Sequence, residues 1–374
     1  MDTTEIRQML DAFGKTVVSH KHYQQALDDL LFTANFSLEV AIITLTGPTG
    51  AGKSTLLEEF CKHTLKALTP QLIADPSMRP IGYVTATAGP DKRFDWTNLY
   101  LDTIDSFKDP FKDIRFRRVV PTNVVVQRSG ETFSQAKMRW NLEELFCQHK
   151  TLFWIIDEAH RLLRGGYRGT SADQCDVLQS MGQKTSVRQV LCGPPDLPDF
   201  MSLSGQLSRR GRMIGLHRYL FHVTAELQHL ANVMTQILNS IPSRPKFPMV
   251  KDNINLYYKG CLGCVGVFKD WVAKAYAHSL SKGKAEVSIE DFHLTRMSAK
   301  AIDKLNGEIF QFEELYRGRG SADESDLDHA IFSPPTFGTK RKNPPSTAQK
   351  TPRPPPGERK PGRDAVADNA KEME

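Results

Sequence analysis

The sequence has no apolar stretch near the ~20 residues that a membrane-spanning helix requires, so no membrane is expected among its partners. Its opening, MDTTEIRQML, has neither a basic n-region nor an apolar h-region, so no secretory signal is expected and a cytoplasmic setting is expected instead. Cysteine is scarce: six residues in 374, of which only Cys261 and Cys264 form a close pair. A lone CxxC with no second Cys or His pair is a poor zinc or redox signature. The thiols are therefore expected to be ordinary and partly buried, in keeping with a reducing compartment. No internal repeat is visible. The body of the chain also lacks an excess of either charge. The net +6 is more than accounted for by residues 340–363, where eight Lys and Arg face Glu358 alone. If the body binds nucleic acid, it must use a local patch.

What is present falls into three parts. Residues 1–221 alternate apolar runs with amphipathic segments. Val40 to Thr46, Ile81 to Ala86, Leu152 to Ile156 and Val187 to Leu191 read as buried strands. Helical patterns lie between them, and Thr132 with Gln135 resembles a capping box ahead of a face formed by Met138, Leu142, Leu145 and Phe146. This alternation predicts an α/β fold with a parallel sheet covered on both sides. Residues 222–317 change to helical periodicity. Leu227, Leu230, Val233, Met234, Ile237, Leu238 and Ile241 form one stripe, Val267, Trp271 and Ala275 a second, and Ser288 with Asp291 caps a helix running toward Tyr316. Residues 318–374 are rich in Pro, Gly, Ser and charge, a composition too poor in apolar surface to offset chain entropy, so disorder is expected.

The chemistry is concentrated in TLTGPTGAGKSTLL. Residues Gly47, Pro48, Thr49, Gly50, Ala51, Gly52, Lys53 and Ser54 match G-x-x-x-x-G-K-[ST], with Thr55 following, between an apolar strand and a helix-favouring run. Phosphate needs unobstructed backbone N–H donors at a helix N-terminus, which the glycines allow. In such a loop Lys53 neutralises the outer phosphates of ATP and Ser54 ligates Mg²⁺. The motif gives meaning to FWIIDEAH, residues 153–160. Ligands of parallel sheets sit at the carboxyl ends of strands. There Asp157 would support the metal and Glu158 would orient and deprotonate an attacking water. DEAH also marks helicases, but no further helicase-like motif and no second α/β core accompany it.

The order of these parts, GPTGAGKST, DEAH, a further strand, QLSRRGR and then a helical domain, resembles an AAA+ ATPase. The opener VVSHKHYQQALDDLL, the stretch IIDEAHRLL and the short helical domain are similar to the transposition ATPases TniB and TnsC, with MuB more distant. The resemblance implies a prokaryotic, cytoplasmic protein and a homo-oligomer, ring or helical filament, in which an arginine of one subunit completes its neighbour's ATP site. Arg209 and Arg210 match that position. It also implies a polar side chain after the fourth strand, where this chain reads Cys192-Gly193-Pro194-Pro195, and a basic residue early in a lid helix, where it offers Lys269 as an ATP contact.

The long stretch from Lys53 to Asp157 implies an insertion between the second and third strands. It carries Lys92, Arg93, Lys112, Arg115, Arg117 and Arg118. Members of the resembled family contact the backbone of double-stranded DNA from this region, which needs positive charge and no base readout. The function implied is an ATP-dependent regulator that oligomerises on duplex DNA, marks a target site and recruits a transposase, alongside target-selection proteins. An AAA+ initiator or loader of replication, and a signalling ATPase that does not act on DNA, remain open beside it.

Overall fold

The computed structural model describes residues 3–36, 42–87, 94–108, 135–164, 171–197, 211–241, 245–284 and 286–317. The chain divides into Met1–Ser321 and Ala322–Glu374, the second lying outside the described residues. The core of the first is a parallel sheet of five strands: β1 (Ile42–Thr46), β2 (Ile81–Thr85), β3 (Phe153–Asp157), β4 (Arg188–Gly193) and β5 (Gly211–Gly215). Their order is β2-β3-β4-β1-β5. Thr85 pairs with Asp157, and Thr46 pairs with both Gly193 and Gly215, so the carboxyl ends of all five strands finish nearly level.

The central strands read as unbroken apolar runs because both faces are covered. Trp154 and Ile156 of β3 join one buried cluster with Phe107, Phe146 and Leu191. Phe153 and Ile155 point the other way, into a cluster with Leu30, Leu45, Leu56 and Phe60. The first cluster is roofed by α5 (Trp96–Lys108), α6 (Gln135–Gln148) and α7 (Ser171–Thr185), the second by α2 (Lys21–Phe36) and α3 (Lys53–Ala67), which the short α4 (Thr69–Ala74) follows. The face expected of α6 is buried at Met138, Leu142, Leu145 and Phe146; Thr132, its expected cap, lies outside the described residues. Phe94 and Trp96, aromatics of the insertion, are buried in the first cluster.

Past β5 come α8 (Thr224–Asn239), α9 (Val250–Cys261), α10 (Val265–Ser281), α11 (Ile289–Thr295) and α12 (Ala299–Arg317). The first four share a third cluster that includes Leu230, Met234, Tyr257, Phe268, Trp271 and Phe292, while Leu305 and Ile309 of α12 are buried with Cys264 in a separate small cluster. Phe13 of α1 (Thr3–Lys15) belongs to this cluster, so the N-terminal helix packs on the helical part. Two features depart from the sequence reading. β5 is an unforeseen strand, short, glycine-bounded and at the sheet edge. The single helix expected from Ser288 to Tyr316 is two helices. Ser288 and Asp291 do form a capping box for α11, but Arg296 is extended (φ −62°, ψ 146°). Ser298 then starts α12, its carbonyl accepting from the Ala301 and Ile302 amides, 3.0 Å each.

Candidate nucleotide-binding site

Between β1 and α3 the chain folds back over the end of the sheet. Gly50 (φ 73°) and Gly52 (φ 104°) occupy left-handed conformations that L side chains rarely adopt. Lys53 then begins α3, so the loop amides and the helix N-terminus converge on one cavity of about 490 Å³, lined among others by Ser54, Thr55, Glu158, His160 and Pro194. Ala51 is buried beneath the loop. The Lys53 ammonium donates to the carbonyls of Gly47 (2.8 Å) and Pro48 (3.0 Å).

β3 delivers the acids. Although 103 residues apart in sequence, the Ser54 hydroxyl donates to the Asp157 carboxylate at 2.8 Å. The same carboxylate oxygen accepts from the Tyr83 hydroxyl (3.1 Å), and the other oxygen from the Glu158 amide (2.8 Å). Asp157 is thereby held in one orientation, while Tyr83's own burial and then the neighbouring Asp157 charge push the Tyr83 phenol up. Glu158 sits at φ 54°, a left-handed conformation costly for a residue with a Cβ, and its carboxylate lies 3.3 Å from His160 Nδ1. Ser54 and Asp157 together offer hard oxygen ligands of the kind that would hold Mg²⁺ beside bound phosphates. Among the described residues no cluster of three or more His, Cys, Asp or Glu has the placement to hold a metal ion by itself.

β4 extends through Cys192 to Gly193, so the position expected to carry a polar side chain holds a fully buried thiol, pushed well up by burial and by the neighbouring Asp157 carboxylate. Cys261 and Cys264 are free thiols buried at the α9–α10 junction, each pushed up to about 12 by burial.

Lys269 does not join the loop. Its ammonium donates to the carbonyls of Gly14 and Thr16, 2.7 Å each, and lies 5.4 Å from the centre of the Phe13 ring. These are the free carbonyls at the end of α1, which attract a cation. The expected ATP contact is thus a clamp between α10 and the N-terminal helix. Instead, α10 reaches the loop through Gly266 and Val267.

Three contacts went unread in the sequence. Tyr83 steadies Asp157. From α12, Glu308 accepts the Thr49 backbone N–H at 3.1 Å, and the Tyr316 hydroxyl lies 3.3 Å from that of Thr46. Alternation in IGYVT could have placed Tyr83 beside the strand ends; no local signal marks the two α12 residues. Arg209, Arg210, Lys92, Arg93, Arg115, Arg117 and Arg118 lie outside the described residues. Among the described residues no helix is long and apolar enough to cross a membrane.

No curated protein matches the chain in sequence. Among solved structures, the ORC2 protein of Aeropyrum pernix in ADPNP and ADP complexes has a TM-score of 0.52 at 13% identity, covering 76% of this chain and 70% of that one. The ORC1 protein of Aeropyrum pernix in complex with DNA gives 0.49 at 16% identity, with 74% and 65% covered. CDC6P from Pyrobaculum aerophilum gives 0.47 at 16%, with 76% and 69% covered. The likeness of fold rests on the first of these. Residues 39–201 match the AAA domain family, and the parallel five-stranded sheet followed by a helical C-terminal region shares its fold with the ORC2 protein.

Proposed function

We propose that the chain binds and hydrolyses ATP with Mg²⁺ at the loop Gly47 to Thr55, and uses the nucleotide to assemble on double-stranded DNA as a regulator of transposition. The observation that carries the ATPase reading is the Ser54–Asp157 contact, which puts the metal-ligating pair of residues beside Lys53 and beside the acid Glu158. Bound Mg²⁺ would supply charge neutralisation between the outer phosphates. Backbone amides of the loop hold the phosphates, and Lys53 turns from its own carbonyls to meet them. Glu158 orients a water and takes its proton. Arg209 or Arg210 of a neighbouring subunit places a cation on the transferring phosphoryl group.

The transposition reading rests on the resemblance to TniB and TnsC. It assigns DNA backbone contact to Lys92, Arg93, Arg115, Arg117 and Arg118, and recruitment of a transposase to the assembled oligomer. A second reading, an initiator or loader of replication, is favoured by the likeness of fold to the Aeropyrum pernix ORC2 protein. The deciding experiment is electron microscopy of the protein with ATP, Mg²⁺ and duplex DNA, with and without a transposase encoded beside its gene. Filaments or rings on DNA that stimulate strand transfer support the first reading. Assembly at one origin sequence, without effect on strand transfer, supports the second, and ATP binding without DNA association sinks both.

A further inference from the structure

Helix α12 lies across the nucleotide loop along a single face. Leu305 and Ile309 are buried against Cys264, with Val267 and Leu262 beside them. One turn on, Phe312 packs edge-on to His217 and Glu313 pairs with Arg218 at 2.7 Å. Tyr316 closes the row on Thr46 and Gly215, where a Cβ on the glycine would lie 2.5 Å from the tyrosine ring. In the middle, Glu308 lines the phosphate cavity and its carboxylate accepts the Thr49 amide. That amide belongs to the loop whose N–H groups are built to hold anionic oxygens. On the far side of the same loop, Lys53 is turned inward onto two carbonyls.

We propose that Glu308 is a built-in phosphate mimic: its carboxylate occupies an anion position of the loop, and α12 must withdraw before nucleotide phosphates can bind. The inference rests on the ATPase reading and adds its regulation. A carboxylate and a phosphate oxygen cannot share one N–H, and their charges repel at hydrogen-bonding distance. The strap therefore lowers apparent nucleotide affinity by the fraction of molecules in which it is engaged. The Thr46, Gly215 and Arg218 contacts of α12 place this competition under the control of whatever moves the helix, and the basic, proline-rich segment follows it directly in sequence.

The test compares the full chain with Glu308→Gln and Glu308→Ala, titrated with a fluorescent ATP analogue and Mg²⁺, with Lys53→Ala as the non-binding control. Both Glu308 variants should bind about tenfold more tightly, the gain expected if the engaged form holds roughly nine-tenths of the population. Hydrogen exchange across Ala299–Arg317 should speed up when ATP binds the native chain. Equal or weaker binding by both variants, or an α12 whose exchange ignores ATP, overturns the proposal. If no form of the protein binds nucleotide, the ATPase reading fails. The strap is then decided by exchange at the Thr49 amide without nucleotide: lost protection in Glu308→Ala supports it, and unchanged protection overturns it.

Discussion

Gly50 and Gly266 meet with no room for a side chain on either. A Cβ on Gly266 would fall 2.3 Å from the Gly50 carbonyl oxygen, and one on Gly50 would fall 2.6 Å from Val267 Cγ2. The helical part thus touches the nucleotide loop backbone to backbone. Gly266→Ala should cost about 1–3 kcal/mol in urea unfolding and weaken ATP binding, as overpacking forces the backbones apart. Gly307→Ala is the matched control. Nothing lies within 4 Å of the added Cβ, and the helix interior should gain about 0.5–1 kcal/mol.

Tyr83→Phe removes one of the donors to Asp157 and leaves the ring. Loss of a hydrogen bond to a charged group should cost about 1.5–3 kcal/mol of stability. The freer carboxylate should need a higher Mg²⁺ concentration for half-maximal ATPase activity, measured by Mg²⁺ titration at saturating ATP. An unchanged Mg²⁺ requirement would mean that Ser54 and the Glu158 amide orient Asp157 unaided.

Lys269→Met tests the clamp on α1. Two hydrogen bonds to α1-end carbonyls are lost while the aliphatic stem stays. Thermal unfolding should begin earlier, with exchange concentrated in Thr3–Lys15, while ATP affinity stays within about twofold, below ~0.5 kcal/mol. A large loss of affinity would return Lys269 to the nucleotide.

Asp291 carries a pH signature. Burial opposes its ionisation, but the Ser288 amide and hydroxyl, His278 and Lys284 hold its carboxyl down to about 2. A carboxyl depressed on folding contributes stability that is complete above its unfolded value near pH 4 and is lost as pH falls through about 2, a contribution of about 2 kcal/mol. Asp291→Asn should lower stability by that order at neutral pH. The difference from the native chain should vanish as acid unfolding is followed from pH 5 toward pH 2.

Hydrolysis should depend on assembly. Activity per subunit should rise with protein concentration or added duplex DNA. Mixing an Arg209→Ala, Arg210→Ala double variant with Lys53→Ala should restore activity, because one chain brings the loop and the other the arginine. A rate that ignores concentration, with no complementation, counts against a shared site.

Much of this was legible in the chain itself, for physical reasons. Strands buried on both faces must be continuous apolar runs, so VAIITLT and LFWII announced β1 and β3. A loop that presents amides to phosphate must contain glycines at set spacing, so Gly47, Gly50 and Gly52 announced the site. β5 was not legible: a five-residue edge strand, only one residue of it buried, has no room for a periodic signal. The break at Arg296 was masked by apolar residues that continue on both sides of it, although Ser298 offered a cap. Lys269 was misplaced because its spacing along α10 is compatible with either neighbour, and only tertiary packing shows that the α1 carbonyls lie nearer. Glu308 could not be read at all, since nothing local distinguishes it from any acid on a helix.

The Thr49–Glu308 contact spans 259 residues, and the Thr46–Tyr316 contact spans 270. Pairings of such sequence separation are slow to form, although the entropy of closing longer loops grows only gently. On a ribosome the loop at Gly47 emerges long before the helix that reaches it. The sheet that carries the loop is complete by Gly215, so its folding does not have to wait for Glu308 or Tyr316 to be made. The two α12 contacts are therefore late additions to a platform that the earlier part of the chain supplies by itself.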